Sequence, residues 1–317
     1  MQSESNFSNQ KPYVEDYLDT GDGHQLYFAC FGNPKGKPII NLHGGPGYGS
    51  EPAMVRFFDP QHWHILLFDQ RGSGRSRPSG SLQNNTTQHL INDINLLADH
   101  IGFKTFAIKG GSWGVTLALA YAQAYPHRVT SMILRGVFLG EKEEALIGRT
   151  DGIQRQFPDM WHYFTKILPE DKRDKPFETY CHYILNGTEE EKQEFAKEAI
   201  ILESIADGIG RLRADALAEC ETLDFYSVAR IEYHYWNNDF FLAPNQILEG
   251  CGKIKDIPAS IVHGRYDMSC PPESAWRLAN RLNNCELVFA DPAGHSEDEP
   301  LIARQLYQFA AKHLESG

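Results

Sequence analysis

The sequence predicts an α/β architecture: a mostly parallel central sheet with helices on both faces, interrupted by an inserted helical block. Three observations predict it. From Tyr17 to Phe138 short apolar runs alternate with helical stretches, and the same rhythm resumes from Ile257 to the end. Between roughly Gly140 and Ile254 strand-like runs give way to amphipathic segments such as Glu189 to Ile205 and Ala214 to Ala218. The chain therefore divides into 1–139, the first part of the core; 140–254, a helical cap over the carboxyl edge of the sheet; and 255–317, the second part of the core. A length of 317 residues with 41% hydrophobic content is enough for one large domain plus such an insertion. There is no internal repeat and no low-complexity linker.

Taken in order, the apolar runs each open into a turn that carries chemistry. Ile39-Ile40-Asn41-Leu42 leads into His43-Gly44-Gly45-Pro46-Gly47, where glycines let the backbone approach a ligand with no side chain in the way. A phosphate-binding reading of these glycines fails, because no Lys-Ser/Thr pair follows and no dinucleotide spacing fits. His64-Ile65-Leu66-Leu67-Phe68 leads into a charged, Gly-rich turn, Asp69 to Ser76. Phe106-Ala107-Ile108 leads through Lys109-Gly110-Gly111-Ser112-Trp113-Gly114 into the helix-like Val115 to Ala122. That is Gly-x-Ser-x-Gly in a strand-turn-helix setting, which forces the serine into a strained backbone and pushes its hydroxyl outward; an ordinary Gly-rich turn is the competing reading.

A nucleophilic serine needs a base, an acid to orient the base, and donors for the developing oxyanion. Ala259 to Gly264 ends at Arg265-Tyr266-Asp267, a carboxylate just beyond a buried strand, where ligand chemistry sits in open α/β sheets. Glu286 to Ala290 opens into Asp291-Pro292-Ala293-Gly294-His295-Ser296, a turn-rich loop carrying a histidine. Singly, Asp267 reads equally as a cap ahead of Pro271-Pro272, and His295 as a cap on a helix starting near Glu297. Taken in chain order with Ser112, they form a Ser, Asp, His set, and the His-Gly-Gly turn, through the Gly45 amide, together with the Trp113 amide after the serine, is expected to form an oxyanion hole. Of the competing histidines, His263 lies inside a strand and suits packing, and His43 belongs to the oxyanion turn.

His-Gly-Gly-Pro-Gly, then Asp-Gln-Arg-Gly-x-Gly-x-Ser, then Gly-Gly-Ser-Trp-Gly, in this order and spacing, resembles the proline iminopeptidase (prolyl aminopeptidase) family of serine peptidases with the α/β-hydrolase fold. The resemblance runs from Tyr17 through the C-terminal helix and includes Leu134 to Phe138, Asp151-Gly152 before Phe157-Pro158, and Ala229 to Trp236. It implies removal of an N-terminal proline from small peptides with a free N-terminus. It also implies that Glu203 and Glu232 hold the substrate ammonium, which pairs strongly with carboxylates in a partly desolvated pocket. The competing reading makes them two exposed helix glutamates. Phe138 and Trp236 offer apolar faces for a pyrrolidine ring. The chain departs from the family at Leu202, where a Trp usually precedes the Glu, and at 147–150, where aromatic residues are usual; a reshaped proline pocket is the expectation.

Composition narrows the partners. A net charge of -12 argues against nucleic acid and anionic membranes, and no apolar run reaches membrane-spanning length. The first ten residues have no basic stretch followed by an apolar core, so a cytoplasmic location is expected. Cys30, Cys181, Cys220, Cys251, Cys270 and Cys285 show neither zinc-site spacing nor disulfide-scaffold density, so free thiols are the default. Cys270, three positions past Asp267, lines the site or packs as a small hydrophobe. No metal and no organic cofactor is implied. Two other functions compete: a capped hydrolase for small esters, lactones or amino-acid amides, which would not need the paired glutamates, and a non-catalytic binding protein on the same fold, which would not need the Ser, Asp, His set.

Overall fold

Strands covered by helices on both faces must be apolar on both, and Trp63–Phe68, with every residue buried, is such a strand. The computed structural model describes residues 7, 9–142, 144 and 152–315. Its strands are β1 (Val14–Asp19), β2 (Gln25–Gly32), β3 (Lys37–Leu42), β4 (Trp63–Phe68), β5 (Phe106–Ser112), β6 (Val129–Val137), β7 (Ala259–Gly264) and β8 (Cys285–Ala290). They form one eight-stranded sheet in the order β1-β2-β4-β3-β5-β6-β7-β8. Only the pairings of β1 with β2 and of β2 with β4 are antiparallel; the rest are parallel. Exposed β1 blunts the sheet edge with the charged residues Glu15, Asp16 and Asp19.

Among the described residues the helices of two turns or more are α1 (Thr87–Ile101), α2 (Trp113–Ala124), α3 (Pro158–Lys166), α4 (Pro176–Asn186), α5 (Glu189–Ala206), α6 (Arg213–Cys220), α7 (Phe225–Asn237), α8 (Pro272–Ala279) and α9 (Pro300–Glu315). Alternation along the strands separates two cores. Ile40, Leu66, Ile108 and Ile261 join α1, α2 and α8 on one face, while Ile39, Ile65, Ala107 and Val262 join α9 on the other. Local signals set the helix ends. Thr86 caps α1 and Gly102 closes it in the left-handed region at φ 86°, and Thr188 and Glu191 form a capping box at the start of α5. Helix α2 is buried on all sides, which explains why its sequence is apolar without a stripe.

Between β6 and β7 the described chain is helical, with α3 to α7 packed chiefly on one another. Glu189 to Ile205 falls within α5, and Ala214 to Ala218 within α6. The segment 147–150 and Asp151 lie outside the described residues. No helix among the described residues is long and apolar enough to cross a membrane.

Candidate active site

Strand β5 runs through both glycines to Ser112, which takes φ 57° and ψ -126° before α2 begins at Trp113. A non-glycine residue in that region carries strain on the order of 1–3 kcal/mol. The turn is that tight because β3 lies against it: a Cβ on Gly114 would sit 2.4 Å from the Leu42 carbonyl. Helix and strand cross at van der Waals distance, and the hydroxyl of Ser112 is left facing a cavity of about 520 Å³.

Asp267 and His295 arrive from the two loops beyond β7 and β8, at the carboxyl edge of the sheet. His295 Nδ1 lies 2.7 Å from Asp267 Oδ2, and both side chains are almost fully buried. Asp267 Oδ1 accepts from the amides of Ser269 (3.0 Å) and Cys270 (2.8 Å). The carboxylate thus caps its own turn with one oxygen and faces a histidine with the other. Burial would raise its carboxyl, but the His295 ring and then a bond from His263 reverse this and hold it well below the usual carboxylate range. Behind the ring stands Gly136 at φ 56°, where a Cβ would come within 2.8 Å of His295 Cε1. Helix α9 starts at Pro300, so His295 caps no helix near Glu297.

The oxyanion turn is laced from three sides by the Asp-Gln-Arg motif. The Gln70 amide donates to His43 Nε2 (2.9 Å), the Gln70 side chain donates to the His43 carbonyl (3.0 Å), and Trp113 Nε1 donates to Gln70 Oε1 (2.9 Å). Gln70 therefore ties the His43 turn to Trp113, and burial of His43 pushes its pKa down. Gly45, at φ 107°, and Ser112 both line the cavity, and Gly44 packs directly on Ser112. Trp113 itself is buried, stacked on Phe240.

Glu203 on α5 and Glu232 on α7 enter the same cavity from the helical side. Glu232 is 3% exposed, which rules out a solvated helix glutamate. Asp207 and Glu219 line the cavity as well. Burial first, then the charges of Glu203, Asp207, Glu232 and Glu219, push the Tyr48 hydroxyl well above its ordinary pKa. Phe138 and Trp236 line the wall; Phe138 meets Phe240 edge-on with ring centroids 4.9 Å apart. Cys270 also lines it, with Sγ 4.0 Å from Ser112 Oγ. Burial, then Asp267 and Glu144, raise its thiol well above the ordinary value, so it is a weak nucleophile at neutral pH. Among the described residues no group of three or more His, Cys, Asp or Glu is arranged to hold a metal ion.

Four participants escape the sequence reading or exceed it. Asp207 follows Glu203 by one helical turn, a spacing that signals a shared face. Its carbonyl accepts from the amides of His295 (3.1 Å) and Ser296 (2.9 Å), and its carboxylate from Ser269 Oγ (2.5 Å). Lys109, the one charge in an otherwise apolar strand run, is buried and paired at 2.7 Å with Glu297, which anchors the His295 loop. His263, read as a packing residue, also contacts Asp267, with Nε2 3.2 Å from Oδ2.

Ser112, His295, the glycine-rich turn and the carboxylates Glu203 and Glu232 thus line one cavity. The alpha/beta hydrolase fold family model matches residues 37–296. A probable proline iminopeptidase of Leptolyngbya boryana is 40% identical over 301 residues, covering 93% of this chain and 92% of that protein. The proline iminopeptidase of Arabidopsis thaliana is 40% identical over 298 residues, covering 93% of this chain and 78% of that protein. Among solved structures, a proline iminopeptidase-related protein from Thermus thermophilus superposes with a TM-score of 0.60 at 20% identity, covering 97% of this chain and 98% of its own, which speaks to the fold. The chain belongs to the proline iminopeptidase family of α/β hydrolases.

Proposed function

We propose that the chain is a prolyl aminopeptidase that releases N-terminal proline from small peptides through an acyl-enzyme. The observation that carries this reading is the meeting of Ser112 and His295 with Glu203 and Glu232 in one cavity. A simple esterase has no use for carboxylates there, whereas a free amino terminus needs them. The 40% identity to proteins named proline iminopeptidase supports the same reading.

In this mechanism His295 Nδ1 is engaged with Asp267, so Nε2 is the ring nitrogen that takes the Ser112 proton. Ser112 attacks the carbonyl of the first residue, whose ammonium sits between Glu203 and Glu232 and whose ring lies along Phe138 and Trp236. The Gly45 and Trp113 amides hold the oxyanion, each contributing on the order of 3 kcal/mol. His295 then protonates the leaving amine, and water releases proline. Residues 140–254 act as the cap that selects the substrate, with Leu202 in the wall opening room beside Glu203. We place the enzyme in the cytoplasm; all six cysteines are free thiols, as a reducing compartment keeps them.

The test is release of aminocoumarin from proline, alanine and N-acetyl-proline conjugates side by side. Rapid cleavage of the proline conjugate with none of the acetylated one is expected. Failure on all three, with a nitrophenyl ester still hydrolysed, would show a working serine under a cap built for another substrate.

A further inference from the structure

His263 sits in the middle of the machinery without a part in the proposed chemistry. It is fully buried in β7, and its two ring nitrogens have different partners. The Val137 backbone amide lies 3.0 Å from Nδ1. A backbone N–H can only donate, so Nδ1 is bare and the ring proton of the neutral imidazole is on Nε2. That N–H points between two acceptors: the Cys270 carbonyl at 3.0 Å and Asp267 Oδ2 at 3.2 Å. Oδ2 is the same oxygen that faces His295 Nδ1 at 2.7 Å.

We propose that His263 is a positioning residue that acts through Asp267, donating from Nε2 to Oδ2 so that this oxygen stays aligned on His295 and its pull on that ring is moderated. The inference rests on the Ser112, Asp267, His295 assignment. An acceptor shared between two donors offers each less negative charge than it would offer one. Without His263, Oδ2 binds the charged form of the His295 ring more strongly but is less well placed. The other ionisable groups around this carboxylate are few: the Cys270 thiol, which feels Asp267, Glu144 and Arg135, and Arg135 itself, whose Nη1 donates to the His295 carbonyl at 3.0 Å. None of them offers Oδ2 a replacement hydrogen bond in the structure.

Two near-isosteric variants separate this role from simple packing. In His263→Asn the amide oxygen takes the place of Nδ1, keeping the Val137 bond and losing Asp267. In His263→Gln the amide nitrogen takes the place of Nε2, keeping Asp267 and losing Val137. The kcat/KM of each is measured against pH with a nitrophenyl ester and with the proline conjugate, after active-site titration with a fluorophosphonate. For His263→Asn, kcat is expected to fall about tenfold with KM little changed, and the acid limb to move up by about one pH unit. His263→Gln is expected to keep the wild-type limb. The opposite ranking, or two variants that differ only in Tm with the limb unmoved, overturns the proposal. Should either variant fail to fold, nitrogen-15 NMR of histidine-labelled wild-type protein decides: a proton on Nδ1 of His263 refutes it, and a neutral ring protonated at Nε2 across the active pH range supports it. An enzyme that ignores the proline conjugate would sink the peptidase reading, yet the ester profile would still judge His263.

Discussion

Ser112, Asp267, His295 and Gly45 stand on the carboxyl edge of the sheet, whereas Glu203 and Glu232 stand on α5 and α7, and the two walls of the cavity are held to different tolerances. On the sheet side, strands share hydrogen-bonded register, so each loop starts from a position fixed by its neighbours. Around the Oδ2 to Nδ1 contact of 2.7 Å stand the backbone amides on Oδ1 and Gly136 behind the ring, while Gln70 ties the His43 turn to Trp113. On the helical side, carboxylates reach in from helices that pack on one another, and they need only come near a positive charge. Chemistry demands geometry; recognition of a charge tolerates a looser fit, because Coulomb attraction falls off slowly with distance.

The contrast predicts which changes cost most. Ser112→Ala removes the proposed nucleophile and is expected to lower peptide turnover by on the order of 10⁵-fold or more, with loss of fluorophosphonate labelling; turnover near wild type would remove Ser112 from the reaction. Gly136→Ala touches no reacting atom, yet its methyl would press on the His295 ring. A kcat lowered by about 100-fold at near-constant KM is expected, and an unchanged kcat would mean the sheet side is softer than argued. On the other wall, Glu232→Gln keeps shape and loses charge. KM for the proline conjugate should rise by about tenfold to a hundredfold, with a nitrophenyl ester affected far less; equal losses on both substrates would erase the distinction between the walls.

The smallest expected effect concerns stability on the face away from the cavity. His313 is buried beside Ser260, and burial pushes its pKa from 6.5 down to about 4. The unfolded chain binds this proton below pH 6.5 and the folded chain only below about 4. Its contribution to stability is therefore complete above pH 6.5 and is lost as the pH falls through that window. At pH 5 the loss is about 2 kcal/mol. Thermal unfolding at pH 7 and pH 5 should show His313→Gln losing less than wild type; identical losses would assign the acid sensitivity to other groups.

The same contrast explains what could be read from the chain. The turn at Ser112 was legible because it imposes small residues at Gly110 and Gly114, so the backbone constraint is written in letters next to the serine. Asp267 and His295 were legible through the apolar strands that deliver them. That Glu203 and Glu232 face the cavity was expected only through family resemblance, since a helix glutamate looks the same in sequence whether it faces water or a cavity. Glu219 was missed for that reason, and Asp207 although its spacing from Glu203 signals a shared face. His263 was missed for another: its position inside a strand says it is buried, and only three-dimensional contact says against what.

Helix α5 carries Glu203 near its end, and the carbonyl of Asp207 just beyond that end receives the amides of His295 and Ser296. If Glu203 grips the incoming amino terminus and His295 is the base, as proposed, the two are joined through about one turn of helix end. Free energy gained when an ammonium docks need not appear as affinity; it is available to seat the imidazole for proton transfer. A substrate stripped of that ammonium would then forfeit speed as well as hold, and the enzyme would discriminate in the turnover step against molecules it still manages to bind.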